Sequence, residues 1–462
     1  MTELEVARSG WRELLGPKHI GASTVLAGGV ALYATNEFLT ISLLPSTVAE
    51  IGGHRLYAWV TTVYLVSSVV AATTVSSTLS RLGPRRSYVA ALSVFGAGSV
   101  LCAVAPTMEL LLAGRVVQGA AGGLMAGLGY AVINAAMPQS LWTKASALVS
   151  AMWGVGTIVG PAGGGLFAQF GSWRWAFGVL AILTAAMAVL VPFALPRRAG
   201  GGPVVQRIPV WSLVLLGAAA LAISVAGIAK HAAMTAGLLG VGALLIGVFL
   251  VVDRRLGASV LPPTAFRPGP LKWIYLTLGM LMAATMVDMY VPLFGQRLAG
   301  LVPVAAGFLG AVLAVGWTVG EISSASVSGP RNVRRLVMVA PLVMATGLAV
   351  GAVTLVNGAS AGIVAVWVVA LAITGTGVGI AWPHLSAWAM GSVDDPAEGG
   401  TAAAAINTVQ LICGAFGAGL AGVIVNMTDR GDETAARYLF ATFAALAVVG
   451  AVASYRASRE RA

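Results

Sequence analysis

Three ionisable side chains lie deep inside apolar stretches of this 462-residue chain: Glu37 in YATNEFLTISLLP, Arg115 in LLLAGRVVQG and Asp288 in LMAATMVDMYVPLF. A charge at the centre of a bilayer costs about 2.5–3.5 kcal/mol on insertion scales, so each of these residues calls for a use. Desolvation favours the neutral form of a carboxyl group in a dry or intermittently wetted space. Such a group can take up a proton on one face of a membrane, release it on the other, and attract a cation in between. The plain alternative is that each acid is pinned to a polar partner for packing alone. Arg115 either snorkels to the near surface or acts from a polar stripe. Gln118 follows it by one turn, and Gly119, Gly122 and Gly123 supply a small-residue packing face beside that stripe. A permanent cation there can tune a neighbouring carboxylate. His384, in WPHLSAW, titrates near neutral pH and is a candidate proton relay, although a lone membrane histidine is more often a hydrogen-bonded core group. Glu321 is expected to pair with the arginines of the next turn, and Asn407 and Gln410 to bond between helices.

Other chemistries find no support in the residues. None of the four lysines follows Gly with Ser or Thr after it, so no P-loop is present. There is no Cys/His metal cluster and no nucleophile elbow in a suitable context, so an enzyme is not expected, nor any cofactor. Cys102 and Cys413 both fall in apolar stretches, as small buried side chains do. The net charge of +11 is scattered between apolar segments and not gathered into a nucleic-acid patch.

The elements that must hold these residues are membrane helices. The chain is 58% hydrophobic and 9% charged, too little charge to cover the surface of a soluble protein of this size. A crossing needs about 20 apolar residues. Fourteen segments qualify, near 21–46, 57–79, 87–106, 109–134, 145–169, 174–195, 210–229, 233–252, 271–295, 302–326, 333–355, 361–386, 401–426 and 436–455. With the N-terminus inside, twenty Lys and Arg residues fall on the cytoplasmic face and six on the other, so both termini are expected in the cytoplasm. The cytoplasmic loop with Asp394, Asp395 and Glu398 carries no base, but acids weigh little in this rule. The polar N-terminus lacks the core of a signal peptide and reads as a retained tail.

The fifth segment contains GTIVGPAGGG, Gly156 to Gly165. Gly156, Gly160 and Gly164 recur every four residues, the spacing that lets two membrane helices approach to backbone contact, with a proline kink tolerated at Pro161. That pattern suits a helix that bends and packs closely in a protein that moves. SSTLSRLGPRRS, ending the second span, is echoed by SSASVSGPRNVRR at the end of the tenth. The echo suggests two parallel six-helix halves, with spans seven and eight inserted between them. The expected organisation is a tail over 1–20, a first bundle over 21–196, a linker with two additional helices over 197–270, a second bundle over 271–456 and a tail over 457–462. The fold class is therefore an all-α polytopic membrane protein.

With these residues in hand, the chain resembles the major facilitator superfamily, and within it the 14-span drug:proton antiporters. Arg115-Val116-Val117-Gln118-Gly119 is similar to the fourth-helix motif of proton-coupled members. Gly156, Gly160, Pro161, Gly164 and Gly165 match the fifth-helix antiporter motif. Trp173-Arg174-Trp175 and the Leu261-Pro262-Pro263 loop also resemble family features. In the turn between helices 2 and 3, Gly83, Arg81 and Arg85 fit the family pattern, but Ser76 and Ser80 stand where a glycine and an aspartate are usual. The usual first-helix aspartate aligns with Asn36, and Glu37 lies one residue on, about 100° round the helix. The resemblance implies a major facilitator fold in the cytoplasmic membrane and export of small hydrophobic or cationic molecules, drawing on the proton-motive force with no cofactor. Glu37, Asp288, Arg115, Asn36, Gln118 and His384 are the implied proton or substrate residues. The expected partners are a small-molecule substrate and the lipid bilayer, with no nucleic acid, in a monomer or weak oligomer. A dedicated exporter of one metabolite, or a non-transporting membrane sensor, remains the alternative.

Overall fold

The structure, a computed structural model, describes residues 11–132, 137–138, 141–195, 209–229, 231–256, 259–325, 327, 329–393, 399–428 and 431–460. Arg8, Arg197, Arg198, Arg207, Lys230, Asp394, Asp395, Glu398, Arg430 and Arg461 lie outside the described residues, as do the side chains of Ser76, Ser80 and Lys144.

Every regular element among the described residues is helical. After a short turn at Trp11–Leu14 come α1 (Ile20–Ile51), α2 (Trp59–Ala72), α3 (Val75–Ala103), α4 (Met108–Ala131), α5 (Trp142–Phe170) and α6 (Trp173–Ala194). Then follow α7 (Val210–Ile228), α8 (Ala232–Arg255), α9 (Leu271–Thr285), α10 (Val291–Ala299), α11 (Pro303–Ala325), α12 (Pro330–Thr354), α13 (Ala361–Met390), α14 (Gly399–Asn426) and α15 (Asp432–Glu460). Among the described residues, 12 helical stretches are long and apolar enough to cross a membrane, with Leu271–Ala299 as one of them. The 32-residue α1 and the 29-residue α5 stand apart from that set. Asn36 and Glu37, in the middle of α1, dilute its apolar character.

Two breaks follow from local chemistry. Gly83 has φ 74°, a left-handed backbone that other residues avoid, and Pro84 restarts the helix after it. The Ser87 hydroxyl closes this turn, donating to the carbonyls of Gly83 (2.7 Å) and Thr78 (3.2 Å). Between α9 and α10 the chain tightens into a 3-10 turn over Met286–Tyr290. Pro292 has no N–H to offer the Asp288 carbonyl in an α-helical bond, and the Val291 N–H takes its place.

The chain divides into two compact units, one from Met1–Gly52 and Ser67–Ile208, the other from Gly53–Val66 and Pro209–Ala462. In the first, α1 packs along α5, α6 and α4, while α3 packs on α4 and α6. No residue of α1 from Val25 to Val48 is exposed. In the second, α13 packs on α11 and α12, α15 on α12 and α9, and α14 on α9. The additional helices α7 and α8 pair with each other, and α7 packs on α14, so they belong to the second unit.

One three-helix contact recurs in both units. A methyl group on Gly98 of α3 would sit 2.8 Å from the Gln118 amide nitrogen of α4, and one on Gly347 of α12 would sit 2.7 Å from that of Thr374 in α13. Five residues further on, Gly123 abuts the Ser68 backbone and Gly379 abuts Trp317. Arg115 and Gln118 thus occupy the places that Leu371 and Thr374 take in the other unit.

Candidate functional site

The glycines of α5 lie against the part of α1 that carries Asn36 and Glu37. A methyl group added at Gly156 would come 2.7 Å from Ala34 Cβ and 2.9 Å from the Thr35 amide. At Gly160 it would come 2.6 Å from Phe38 Cβ and 3.0 Å from the Thr35 carbonyl, and at Gly164, 2.7 Å from the Leu39 carbonyl. Only hydrogen fits at these positions, so the helix backbones touch. Pro161 and Gly165 are buried in the same stretch, and α5 runs on as one helix through the proline. The four-residue spacing read in the sequence thus sets where Asn36 and Glu37 stand.

Glu37 is partly accessible, and it lies within electrostatic reach of Arg115. Arg115 is only 2% exposed. Its Nη1 donates to Gln118 Oε1 (2.9 Å), and Gln118 Nε2 donates to Ser99 Oγ on α3 (2.9 Å). The Cys102 thiol lies 3.5 Å from the same Gln118 oxygen. Arg115 therefore does not snorkel to the surface. Its charge is held inside the unit, with the Gln118 amide as one partner, within electrostatic reach of Glu37. Asn36 is fully buried, and neither atom of its amide has a hydrogen-bond partner. An unsatisfied buried amide costs about 1–3 kcal/mol, the kind of cost found at working sites.

The other candidates lie elsewhere. Asp288 sits partly accessible in the 3-10 turn of the second unit. His384 Nε2 donates to the Ser324 carbonyl (3.1 Å), which ties α13 to α11. Arg81 is exposed and Arg85 half-buried at the Gly83 turn. The pairing expected for Glu321 is not what the structure shows: among the described residues it makes no ion pair, and the polar side chain that acts on it is Trp317. One helical turn separates those two residues, whereas the arginines stand beyond the break at Gly329.

Two acids escaped sequence reasoning. Glu50, at the end of α1, accepts from Trp173 Nε1 (2.7 Å) and pairs with Arg174. Arg174 also reaches the Ala105 carbonyl (3.1 Å) and stacks on Trp173 (4.3 Å). Asp253 is 1% exposed at the end of α8 and accepts from Ser212 Oγ (2.6 Å), the Val260 amide (2.8 Å) and the Leu261 amide (3.0 Å). The Trp173-Arg174 pair was a signal that an acid should be near. Nothing in the sequence around Asp253 separated it from an ordinary helix-end charge.

Residues 26–418 match the Major Facilitator Superfamily. The chain belongs to this family. It is a multi-pass membrane transporter and not an enzyme. It is 63% identical to a probable multidrug-efflux transporter of Mycobacterium tuberculosis strain H37Rv over 466 aligned residues, which cover 99% of this chain and 98% of the relative. It is 25% identical over 392 residues to the multidrug transporter protein MdtP of Bacillus subtilis strain 168, covering 83% of this chain and 71% of that one. Among solved structures it resembles a D-xylose–proton symporter, with TM-score 0.66, 16% identity and coverage of 95% and 97%. It also resembles a bacterial homologue of the human lysosomal transporter Spinster, with TM-score 0.66, 13% identity and coverage of 96% and 98%. At those identities the two structures show this facilitator's fold alone.

Proposed function

We propose that this facilitator is a proton-driven antiporter that exports small hydrophobic or cationic compounds from the cytoplasm by alternating access. The observation that carries the reading is a partly accessible Glu37 within electrostatic reach of the buried Arg115, on a helix held at backbone contact by Gly156, Gly160 and Gly164. An ionised Glu37 offsets the guanidinium charge. Proton uptake removes that compensation and so changes the electrostatic balance around the buried guanidinium, where at low dielectric a change of one charge matters. The two protonation states therefore favour different packings of α1, and a moving helix needs the smooth contact that the glycines give. Asp288 is a second proton or substrate acid, Asn36 a polar ligand beside Glu37, and His384 a helix tie that can also relay.

The relative's description as a multidrug-efflux transporter supports a broad substrate range over a single dedicated metabolite. The 14-span reading follows if α1 and α5 cross the bilayer with the other 12, and the distribution of bases in the sequence supports termini on the cytoplasmic side. In inverted vesicles with an acidic lumen, Glu37→Gln should reduce gradient-driven uptake of a fluorescent organic cation to background while expression and detergent elution stay normal. Unchanged uptake would remove Glu37 from the mechanism.

A further inference from the structure

Glu321, Trp317 and Trp382 form a group that the proton chemistry does not use. The Trp317 and Trp382 rings lie 5.1 Å apart, centroid to centroid, and tilted by 54°. Glu321 lies one helical turn on from Trp317, whose side chain acts on it as a polar neighbour, and all three residues are partly accessible. The helices beneath them are in backbone contact. A methyl group on Gly320 would meet the Thr376 carbonyl at 3.0 Å, and Gly316, Gly375 and Gly379 are packed as closely. That contact, together with the His384 bond to Ser324, fixes the two indoles relative to the carboxylate.

Two simpler roles for these residues fail on geometry. An acid near a helix end often snorkels past lipid toward the headgroups. Here the lipid-type stripe of α11 is Val315, Val319 and Ile322, with exposures of 46%, 59% and 72%. At 100° per residue, Glu321 stands about 200° round from Val319, and Trp317 about 160°. Both therefore face away from that stripe. An interfacial belt tryptophan offers its N–H to the headgroups, whereas Trp317 stands on the face of α11 away from the exposed stripe, against the Trp382 ring.

We propose that Glu321, Trp317 and Trp382 form a recognition site for flat or bulky organic cations, in which two tilted indole faces hold the cation and the carboxylate supplies the countercharge. Indole faces attract cations through the ring quadrupole, and more strongly where water is excluded. Among the described residues no base is ion-paired with Glu321, so its charge is available to a ligand. The proposal rests on the export reading and names its substrate class: delocalised cations in preference to neutral compounds of the same shape.

The test is binding without a gradient. Tetraphenylphosphonium is titrated into the purified full chain in detergent, with neutral triphenylphosphine oxide beside it, and both are followed by calorimetry. Glu321→Gln keeps the volume and hydrogen bonding but removes the charge. It should weaken cation binding about tenfold or more and leave the neutral compound unchanged. Trp382→Leu should weaken the cation as well, and Glu321→Asp should restore part of the loss, which separates recognition from misfolding. Wild-type affinity in both Glu321→Gln and Trp382→Leu overturns the site while leaving export intact. Failure of the parent to transport any cation in driven vesicles, with binding preserved, counts against the export reading instead.

Discussion

Replacing Gly160 with alanine tests the contact on which the first unit is organised. The new methyl group would lie 2.6 Å from Phe38 Cβ and 2.9 Å from the Leu39 amide, where ordinary contact begins near 3.4 Å. Restoring that spacing requires α1 and α5 to separate by about 0.8 Å. Helix backbone cannot swing aside as a side-chain tip can, so the cost should fall in the overpacking range, about 1–3 kcal/mol. Alanine also gains up to about 1 kcal/mol of helix propensity over glycine, which would mask part of the loss. Gly154→Ala removes this ambiguity. It lies on the same helix, gains the same propensity, and its methyl group meets nothing within 4 Å. The difference between the two variants therefore reports the clash alone. A difference of about 2 kcal/mol corresponds to roughly 4–8 °C in melting temperature for a unit of this size. Thermal unfolding in detergent, with vesicle transport measured in parallel, should show Gly154→Ala at or above the parent and Gly160→Ala clearly below it. Equal melting temperatures for the two would refute backbone contact between α1 and α5.

Two further outcomes follow from the acids that the sequence did not single out. Asp253→Asn leaves one oxygen for three donors and turns an N–H toward them, so it should cost about 2–3 kcal/mol and lower the melting temperature of the purified protein; a shift within error would mean the Asp253 bonds do not hold the chain after α8. Glu50→Gln should cost under about 1 kcal/mol, because the pair is partly exposed, and 0.5 M salt should erase most of the difference. Arg174→Ala should cost more at either salt, since it also gives up the Ala105 carbonyl and the Trp173 ring, and equal losses for the two variants would show that the ion pair alone matters.

Much of this was legible because membrane helices obey simple rules. Apolar length marked the helices, and four-residue glycine spacing marked a close contact. An arginine followed by a glutamine one turn later marked a polar stripe, and the Arg115–Gln118 bond lies along it. What the spacing could not say was which helix the glycines would meet, since any of several neighbours could present a smooth face. Glu321 was assigned to the nearby arginines because they are close in sequence, but the break at Gly329 carries them off its helix face and Trp317 stands one turn behind it. Gly375 and Gly379 have the same spacing as the α5 glycines, yet without a proline or a named motif they did not stand out. Tertiary partners decide such cases, and one sequence carries little information about them.

The recurrence of one glycine contact in both units, with different polar content, bears on how the work is divided. Where the first unit has Arg115 and Gln118, the second has Leu371 and Thr374. On the proposed reading, a carboxylate within electrostatic reach of a buried guanidinium suits proton exchange, because gaining or losing its charge changes the balance around that cation. The same neighbour would repel an approaching organic cation, and at low dielectric that repulsion is severe. An acid meant to receive a cation is therefore better placed where the equivalent of Arg115 is apolar and aromatic faces can share the charge. Glu321 has the Trp317 and Trp382 rings beside it, whereas Glu37 lies within electrostatic reach of Arg115. If the proposed roles hold, the backbone contact common to the two units leaves the side chains at a few positions to set their different polar chemistry.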